Sequence, residues 1–321
     1  MSVSSPILEE TRRMGCTSSA HRDVDAPKLA EGAFDDEFEL DDEVLGEGAM
    51  GKVMLCVRRS TGHDFAAKLC SQNKDSLREV AIMQKLAHPG VLRLEGAFRT
   101  SPAPDGSGRL MLVLELANGG DLLNEVDRHG GKMSEGDAAY FMKQLLQAVA
   151  YLAEQPGGGI VHRDLKLTNV FLTGRKHHRD GTVGRPRVKL GDFGIAACAR
   201  DLAAAATGKG GGAGTAQYAS PEALAGAACT PASDVWSLGV IMFTLLCGEY
   251  PYSLPLDLAA TDEVAILWGE GKHGILTDDA RSAVRSMLTR APESRPSAAE
   301  LDTCQWITFQ TWLTQNDYLA C

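Results

Sequence analysis

No apolar stretch in this 321-residue chain is long enough to cross a bilayer. The longest, Val235 to Cys247, is broken by Ser237 and Gly239 and falls short of the ~20 residues a spanning helix needs, so it reads as a buried helix. Basic residues are outnumbered, 32 Lys and Arg against 42 Asp and Glu, and a net charge of −10 argues against a nucleic-acid partner. The same acidic surface suits basic peptide substrates, although an ordinary solvated surface carries such an excess too. No cysteines are paired at metal-ligand spacing: the eight stand at Cys16, Cys56, Cys70, Cys198, Cys229, Cys247, Cys304 and Cys321. No secretory leader is evident, so reduced thiols in a cytoplasmic protein are expected. No D-x-[DN]-x-[DN]-G loop occurs, which excludes an encoded calcium site of that type. The length suits one domain with short extensions.

What is present is an ordered set of motifs for handling phosphate. Leu45-Gly46-Glu47-Gly48-Ala49-Met50-Gly51-Lys52-Val53 has the form G-x-G-x-x-G-x-V, whose glycines let backbone amides approach phosphate oxygens with no Cβ in the way. A dinucleotide-binding turn shares the glycine spacing but needs a helix next. Here an apolar, β-rich run, Val53-Met54-Leu55-Cys56-Val57, follows and ends at Thr61-Gly62, so strand, turn and strand are expected. Phe65-Ala66-Ala67-Lys68 then reads as a third strand, with Lys68 placed to bridge the α- and β-phosphates of ATP. Lys68 needs a carboxylate partner on a helix, and Glu79 is the candidate. Two readings of Glu79 stand open: the ion pair, or a Ser76-Leu77-Arg78-Glu79 capping box that folds Glu79 back onto its own helix start.

Downstream, His162-Arg163-Asp164-Leu165-Lys166-Leu167-Thr168-Asn169 matches H-R-D-L-x-x-x-N over its whole length, and Asp192-Phe193-Gly194 follows. Phosphoryl transfer asks a protein for little covalent chemistry; it must align the acceptor oxygen with the γ-phosphate and neutralise charge. The residues divide accordingly. Asp164 orients the acceptor hydroxyl and takes its proton, Lys166 sits against the transferring phosphate, and Asn169 with Asp192 holds Mg²⁺ through hard oxygen ligands.

Together these motifs resemble the eukaryotic protein kinase family over residues 38–313. The resemblance implies an α+β, two-lobed fold, with a β-rich N-lobe carrying one regulatory helix and a mainly helical C-lobe. It implies a nucleotide site in which the glycine-loop residues cover the phosphates, Val53, Ala66 and Phe171 flank the adenine, and Asp121 faces the ribose. Leu112-Val113-Leu114-Glu115 runs into the hinge by the same resemblance, with Leu114 as gatekeeper and Glu115 among the nucleotide contacts. Glu222 of Ser220-Pro221-Glu222 is implied to pair with Arg295, Asp234 to brace the catalytic loop, and Met83, Leu94, His162 and Phe193 to stack as a spine. Lys166 and Gly214-Thr215 resemble the Ser/Thr-specific branch, and Tyr218 looks most like calmodulin-dependent and calcium-dependent kinases. Ile195 implies a threonine preference, and Asp121 with Glu125 implies attraction for a basic residue upstream of the acceptor. Thr168 stands where basophilic relatives often carry Glu, which removes one acidic contact. The competing reading is a pseudokinase scaffold or nucleotide-gated binding module; retention of Lys68, Glu79, Asp164, Asn169 and Asp192 opposes it.

Residues 1–33 lack periodicity and read as a flexible leader, 34–313 as the kinase domain (N-lobe 34–117, C-lobe 118–313), and 314–321 as a loose tail after a last helix over 305–313. Met14-Gly15-Cys16-Thr17-Ser18-Ser19 matches M-G-x-x-x-[ST]. Translation from Met14 would expose Gly15 for myristoylation, with Cys16 placed for palmitoylation; translation from Met1 silences the signal. A cytoplasmic location is therefore expected, with membrane association only in the acylated form. Insertions occupy 155–159 and 173–187, and His177-His178 in the second reads as a solvated turn. Nothing specifies an oligomeric state. Glu79 follows Lys68 by eleven positions, so the front of its helix looks trimmed. Between Gly194 and Gly214 the only hydroxyl is Thr207, beside the Gly208-Lys209-Gly210-Gly211-Gly212 run. Activity is therefore expected not to depend strongly on phosphorylation of this segment.

Overall fold

The structure is a computed structural model that describes residues 27–30, 32–48, 51–174, 185–205, 214–254, 256, 263–268 and 276–317. The acylation string 14–19, Ala49 and Met50 of the glycine motif, His177-His178, Thr207 and the glycine run 208–212 lie outside the described residues.

The N-lobe is a five-stranded antiparallel sheet in the order β1-β2-β3-β5-β4, formed by β1 (Phe38–Gly48), β2 (Gly51–Arg58), β3 (Asp64–Ser71), β4 (Leu94–Thr100) and β5 (Arg109–Glu115). A single turn, α1 (Phe34–Glu37), precedes it, and α2 (Lys74–Met83) joins β3 to β4. The expected single N-lobe helix is thus accompanied by one extra turn. Gly51 pairs with Gly48 across the first hairpin at φ 130°, and a Cβ there would run into the Leu69 carbonyl, so glycine is what lets β2 start against β3. A strand after the glycines removes the dinucleotide-turn reading. Phe34, Phe38, Phe65 and Phe98 form an aromatic cluster on the sheet, while Cys70, Ala97, Leu110 and Leu112 pack with Val80 of α2.

The C-lobe contains α3 (Leu122–Arg128), α4 (Glu135–Ala153), β6 (Ile160–Val161), β7 (Val170–Thr173), β8 (Arg187–Leu190), β9 (Ala197–Cys198), α5 (Ala199–Ala205), α6 (Pro221–Leu224), α7 (Pro231–Cys247), α8 (Asp278–Met287), α9 (Ala298–Asp302) and α10 (Gln305–Asp317). The pairs β6·β9 and β7·β8 are small antiparallel sheets that carry the catalytic loops. The apolar run noted in the sequence becomes α7, buried from Ser233 through Cys247 against α4 and α8. Its limits follow from local chemistry: Pro231 at the first turn, a reciprocal Thr230/Ser233 cap, and Gly248 in the left-handed region at its end.

Two boundaries differ from the sequence reading. Residues 27–30, expected within a flexible leader, are docked on the N-lobe, because Leu29 and Ala30 are apolar and β4 offers an unpaired edge carbonyl at Ala97. The last helix runs to Asp317 rather than stopping at 313, since Thr314 through Asp317 contains neither Pro nor Gly to end it. Among the described residues no helix is long and apolar enough to cross a membrane. The six described cysteines are free, and burial pushes the Cys56, Cys70 and Cys247 thiols up to about 11.

Candidate active site

In β3, Lys68 lies between Val53 of β2 and Leu112 of β5. Its Nζ donates to Glu79 Oε1 at 2.8 Å and to Asp192 Oδ1 at 3.3 Å. Burial opposes the charge on Lys68, but Glu79 and Asp192 outweigh it and hold the ammonium above its ordinary range. The helix that brings Glu79 begins earlier than the capping-box reading required. Asn73 is its N-cap, accepting the N–H groups of Asp75 and Ser76 at 2.9 Å, and Ser76 Oγ accepts the Asn73 N–H at 3.0 Å. Ser76 therefore closes the box, leaving Glu79 a turn further on and free to meet Lys68.

Arg163 and Asp192 are the only non-glycine residues with positive φ among the described residues, at 70° and 62°. Such conformations cost roughly 1–3 kcal/mol each and persist where surrounding contacts over-determine them. For Arg163 the determining group is Asp234, in the first turn of α7 and 1% exposed, whose carboxylate accepts the N–H groups of His162 at 2.7 Å and Arg163 at 3.0 Å. Burial pushes the Asp234 carboxyl up, against the pull of the two amides whose N–H groups it accepts. His162 connects this loop to the metal triplet: its Nε2 lies 3.0 Å from the Gly191 carbonyl oxygen and its Nδ1 lies 3.4 Å from the Asp164 nitrogen. Its ring lies 4.9 Å from that of Phe193, which shares a core cluster with Met83 and has Leu94 packed against it.

Three side chains converge on Asp164. Lys166 Nζ and Asn169 Nδ2 donate to Oδ2 at 2.7 and 2.9 Å, while the N–H and hydroxyl of Thr215 donate to Oδ1 at 3.1 and 3.0 Å. The Thr215 oxygen also accepts from Lys166 at 3.0 Å. Thr215 is the site residue that motif matching left without a role; Gly214-Thr215 was legible only as a branch marker. Asn169 spends its amide nitrogen on Asp164, leaving its carbonyl oxygen as the ligand atom, and Asp192 offers a half-buried carboxylate. This hard-oxygen donor set fits Mg²⁺ held jointly with phosphate oxygens.

On the nucleotide side, Leu45, Gly46, Glu47 and Gly48 end β1, and Gly51, Lys52 and Val53 begin β2. Ala66 faces Leu114 across β3 and β5, and Phe171 of β7 bridges to Asp121. The Asp121 carboxylate caps α3 by accepting the Asn124 N–H at 2.8 Å. The Glu115 carboxylate takes Lys189 at 2.8 Å and the Arg93 N–H at 3.3 Å, tying β5 to β8 across the hinge. The Glu115 N–H also donates to the Arg93 carbonyl at 2.9 Å, so both its carboxylate and its amide are engaged within the protein. Glu125 is corrected outright: it lies on the buried face of α3, paired with Arg128 at 2.8 Å, and does not present its carboxylate to a substrate. Glu222 and Arg295 pair as expected, through two 2.7 Å bonds. Burial would raise the Glu222 carboxyl, but Arg295 overrides it and holds the group below its usual range.

A sheet lobe thus presents a lysine–glutamate pair to the oxygen-rich loops of a helical lobe. The model for the protein kinase domain matches residues 40–307, and the chain belongs to the protein kinase family. It is 32% identical over 305 residues to the serine/threonine-protein kinase PEPKR2 of Arabidopsis thaliana, covering 94% of this chain and 58% of that protein. It is 32% identical over 289 residues to calcium/calmodulin-dependent protein kinase type II of Caenorhabditis briggsae, covering 85% and 49%. Identity to the human calcium/calmodulin-dependent protein kinase type IV is 35% over 223 residues, covering 68% and 42%. The chain thus spans about half the length of these relatives.

Proposed function

We propose that the chain transfers the γ-phosphate of ATP to serine and threonine hydroxyls of protein substrates. The observation that carries this reading is the Asp164 carboxylate, with both oxygens fixed by Lys166, Asn169 and Thr215, as a base that must orient a hydroxyl and accept its proton requires. Lys68, held by Glu79, is the cation for the α- and β-phosphates. Mg²⁺ bound by Asn169 and Asp192 would neutralise charge on the phosphates. The relatives' names as serine/threonine kinases support the same class.

Ile195, half-buried directly after the metal triplet, supports a threonine preference. Strong arginine dependence is not expected, because Glu125 is engaged by Arg128 and Thr168 supplies no carboxylate. Phosphorylation of the activation segment is not required on this reading, because its only hydroxyl, Thr207, stands away from Gly214-Thr215. Membrane association through Met14-Gly15-Cys16 needs Gly15 as the amino terminus and acylation at both Gly15 and Cys16, since one myristoyl chain binds membranes only marginally. Incubation with ATP, Mg²⁺ and paired peptides differing only in Ser or Thr tests the class. Transfer favouring threonine, and abolished in Asp192→Asn, is expected; undiminished transfer by that variant would contradict the assignment.

A further inference from the structure

The Lys68–Glu79 pair depends on α2, a helix of ten residues. Helices this short are marginal alone, so packing sets the position of α2. One side of it carries Ile82 and Met83 into the main core. Residues 27–30 lie along another. The Lys28 N–H donates to Gln84 Oε1 at 3.0 Å, and Gln84 Nε2 donates back to the Lys28 carbonyl at 2.5 Å, so the C-cap residue of α2 is tied to the Lys28 backbone in both directions. Two residues on, the Ala30 N–H joins the open edge of β4 at the Ala97 carbonyl, 2.8 Å away. Between these bonds Leu29 packs against the cluster of Cys70, Val80, Ala97, Leu110 and Leu112, in which Val80 is the contribution of α2. Ala30 then meets the aromatic cluster, where Phe34 stacks on Phe38 and stands edge-on to Phe98. Both ends of the short strap are therefore fixed, one on the regulatory helix and the other on the sheet.

We propose that residues 27–30 are a built-in positioning element for α2: Leu29 in its seat holds the helix where Glu79 meets Lys68, and emptying the seat lets the helix withdraw and activity fall. The trimmed front of α2 makes this rear support the more important, because Asn73 and Ser76 satisfy only the local backbone there. Leu29 and Gln84 act through Glu79 and are positioning residues. The proposal rests on the kinase reading, which transfer by the unmodified protein tests separately.

The test uses the full chain and Leu29→Asp. The kcat for peptide phosphorylation should fall about tenfold, because replacing one partly buried leucine by a charged side chain in an apolar seat can bias a two-state helix by that factor. Leu29→Met should retain most activity. A double-mutant cycle separates positioning from general stabilisation: in a Glu79→Gln background the pair is already broken, so Leu29→Asp should change the residual rate by less than about twofold. A synthetic peptide spanning 24–34 should restore activity to Leu29→Asp in trans, which it could not do for an unfolded protein. Amide exchange over residues 74–83 should quicken in Leu29→Asp, a readout independent of catalysis. An unchanged kcat, a full tenfold loss repeated in the Glu79→Gln background, or unaltered exchange in α2 would each overturn the proposal.

Discussion

The Asp234 carboxylate holds the backbone N–H groups of His162 and Arg163 from 72 and 71 residues away in the chain, at 2.7 and 3.0 Å. One buried acid in the central C-lobe helix thus fixes the left-handed turn that aims Asp164. Hydrogen bonds to a charged group contribute about 1.5–3 kcal/mol each, so Asp234→Ala should lose on the order of 3 kcal/mol of stability. Its kcat should fall further than its affinity for ATP. Denaturant titration and steady-state kinetics on the same preparation check both.

Gly214 has φ 108°, and a Cβ there would lie 2.5 Å from the Arg163 carbonyl. Gly214→Ala must displace either the catalytic loop or Thr215, breaking the two bonds from Thr215 to Asp164. A misplaced base costs about 10²-fold or more. The loss should appear in kcat with nucleotide affinity nearly unchanged, measured by ATP titration of binding and of rate.

Glu222 carries a pH signature. Its folded pKa lies below the unfolded value, so the stabilisation from Arg295 is complete above the ordinary glutamate range near 4.3 and is lost as pH falls through the lower folded value. The Arg295 side chain is 0% exposed, and Glu222→Gln leaves its charge unpaired at a cost of about 3–5 kcal/mol at neutral pH. Melting of wild type and variant across pH 3–7 should show a gap that narrows on the acid side. A gap independent of pH would contradict the pairing.

Thr207→Ala should keep most of the wild-type rate. Thr207 is the only hydroxyl between Gly194 and Gly214 and stands away from Gly214-Thr215, so the usual acceptor position is already vacant. Steady-state rates of untreated, phosphatase-treated and Thr207→Ala protein should agree within about twofold.

Residues that belong to contiguous motifs were legible in the sequence because short-range geometry defines them: the loop from His162 to Asn169, the metal triplet and the strand bearing Lys68 all stand where their patterns placed them. Long-range partners without a pattern were not. Lys189 meets Glu115 across 74 positions, and Glu125 turned inward because Arg128, one turn on, neutralises it. Residues 27–30 show no periodicity, since four extended residues on a sheet edge need only one apolar side chain and one free carbonyl. The Ser76 capping box, one of the two readings the sequence left open for Glu79, starts three residues after the actual cap, because Asn73 and Ser76 both suit a helix cap and only the reciprocal bonds between them decide which leads.

The most direct measurement is transfer of the γ-phosphate from ATP to a threonine peptide with Mg²⁺, comparing wild type with Asp164→Ala under single-turnover conditions at saturating ATP. Wild type should phosphorylate the peptide and the variant should do so at least about 10²-fold more slowly while binding ATP equally well. Equal rates in the two proteins, or no transfer by either, would contradict the account.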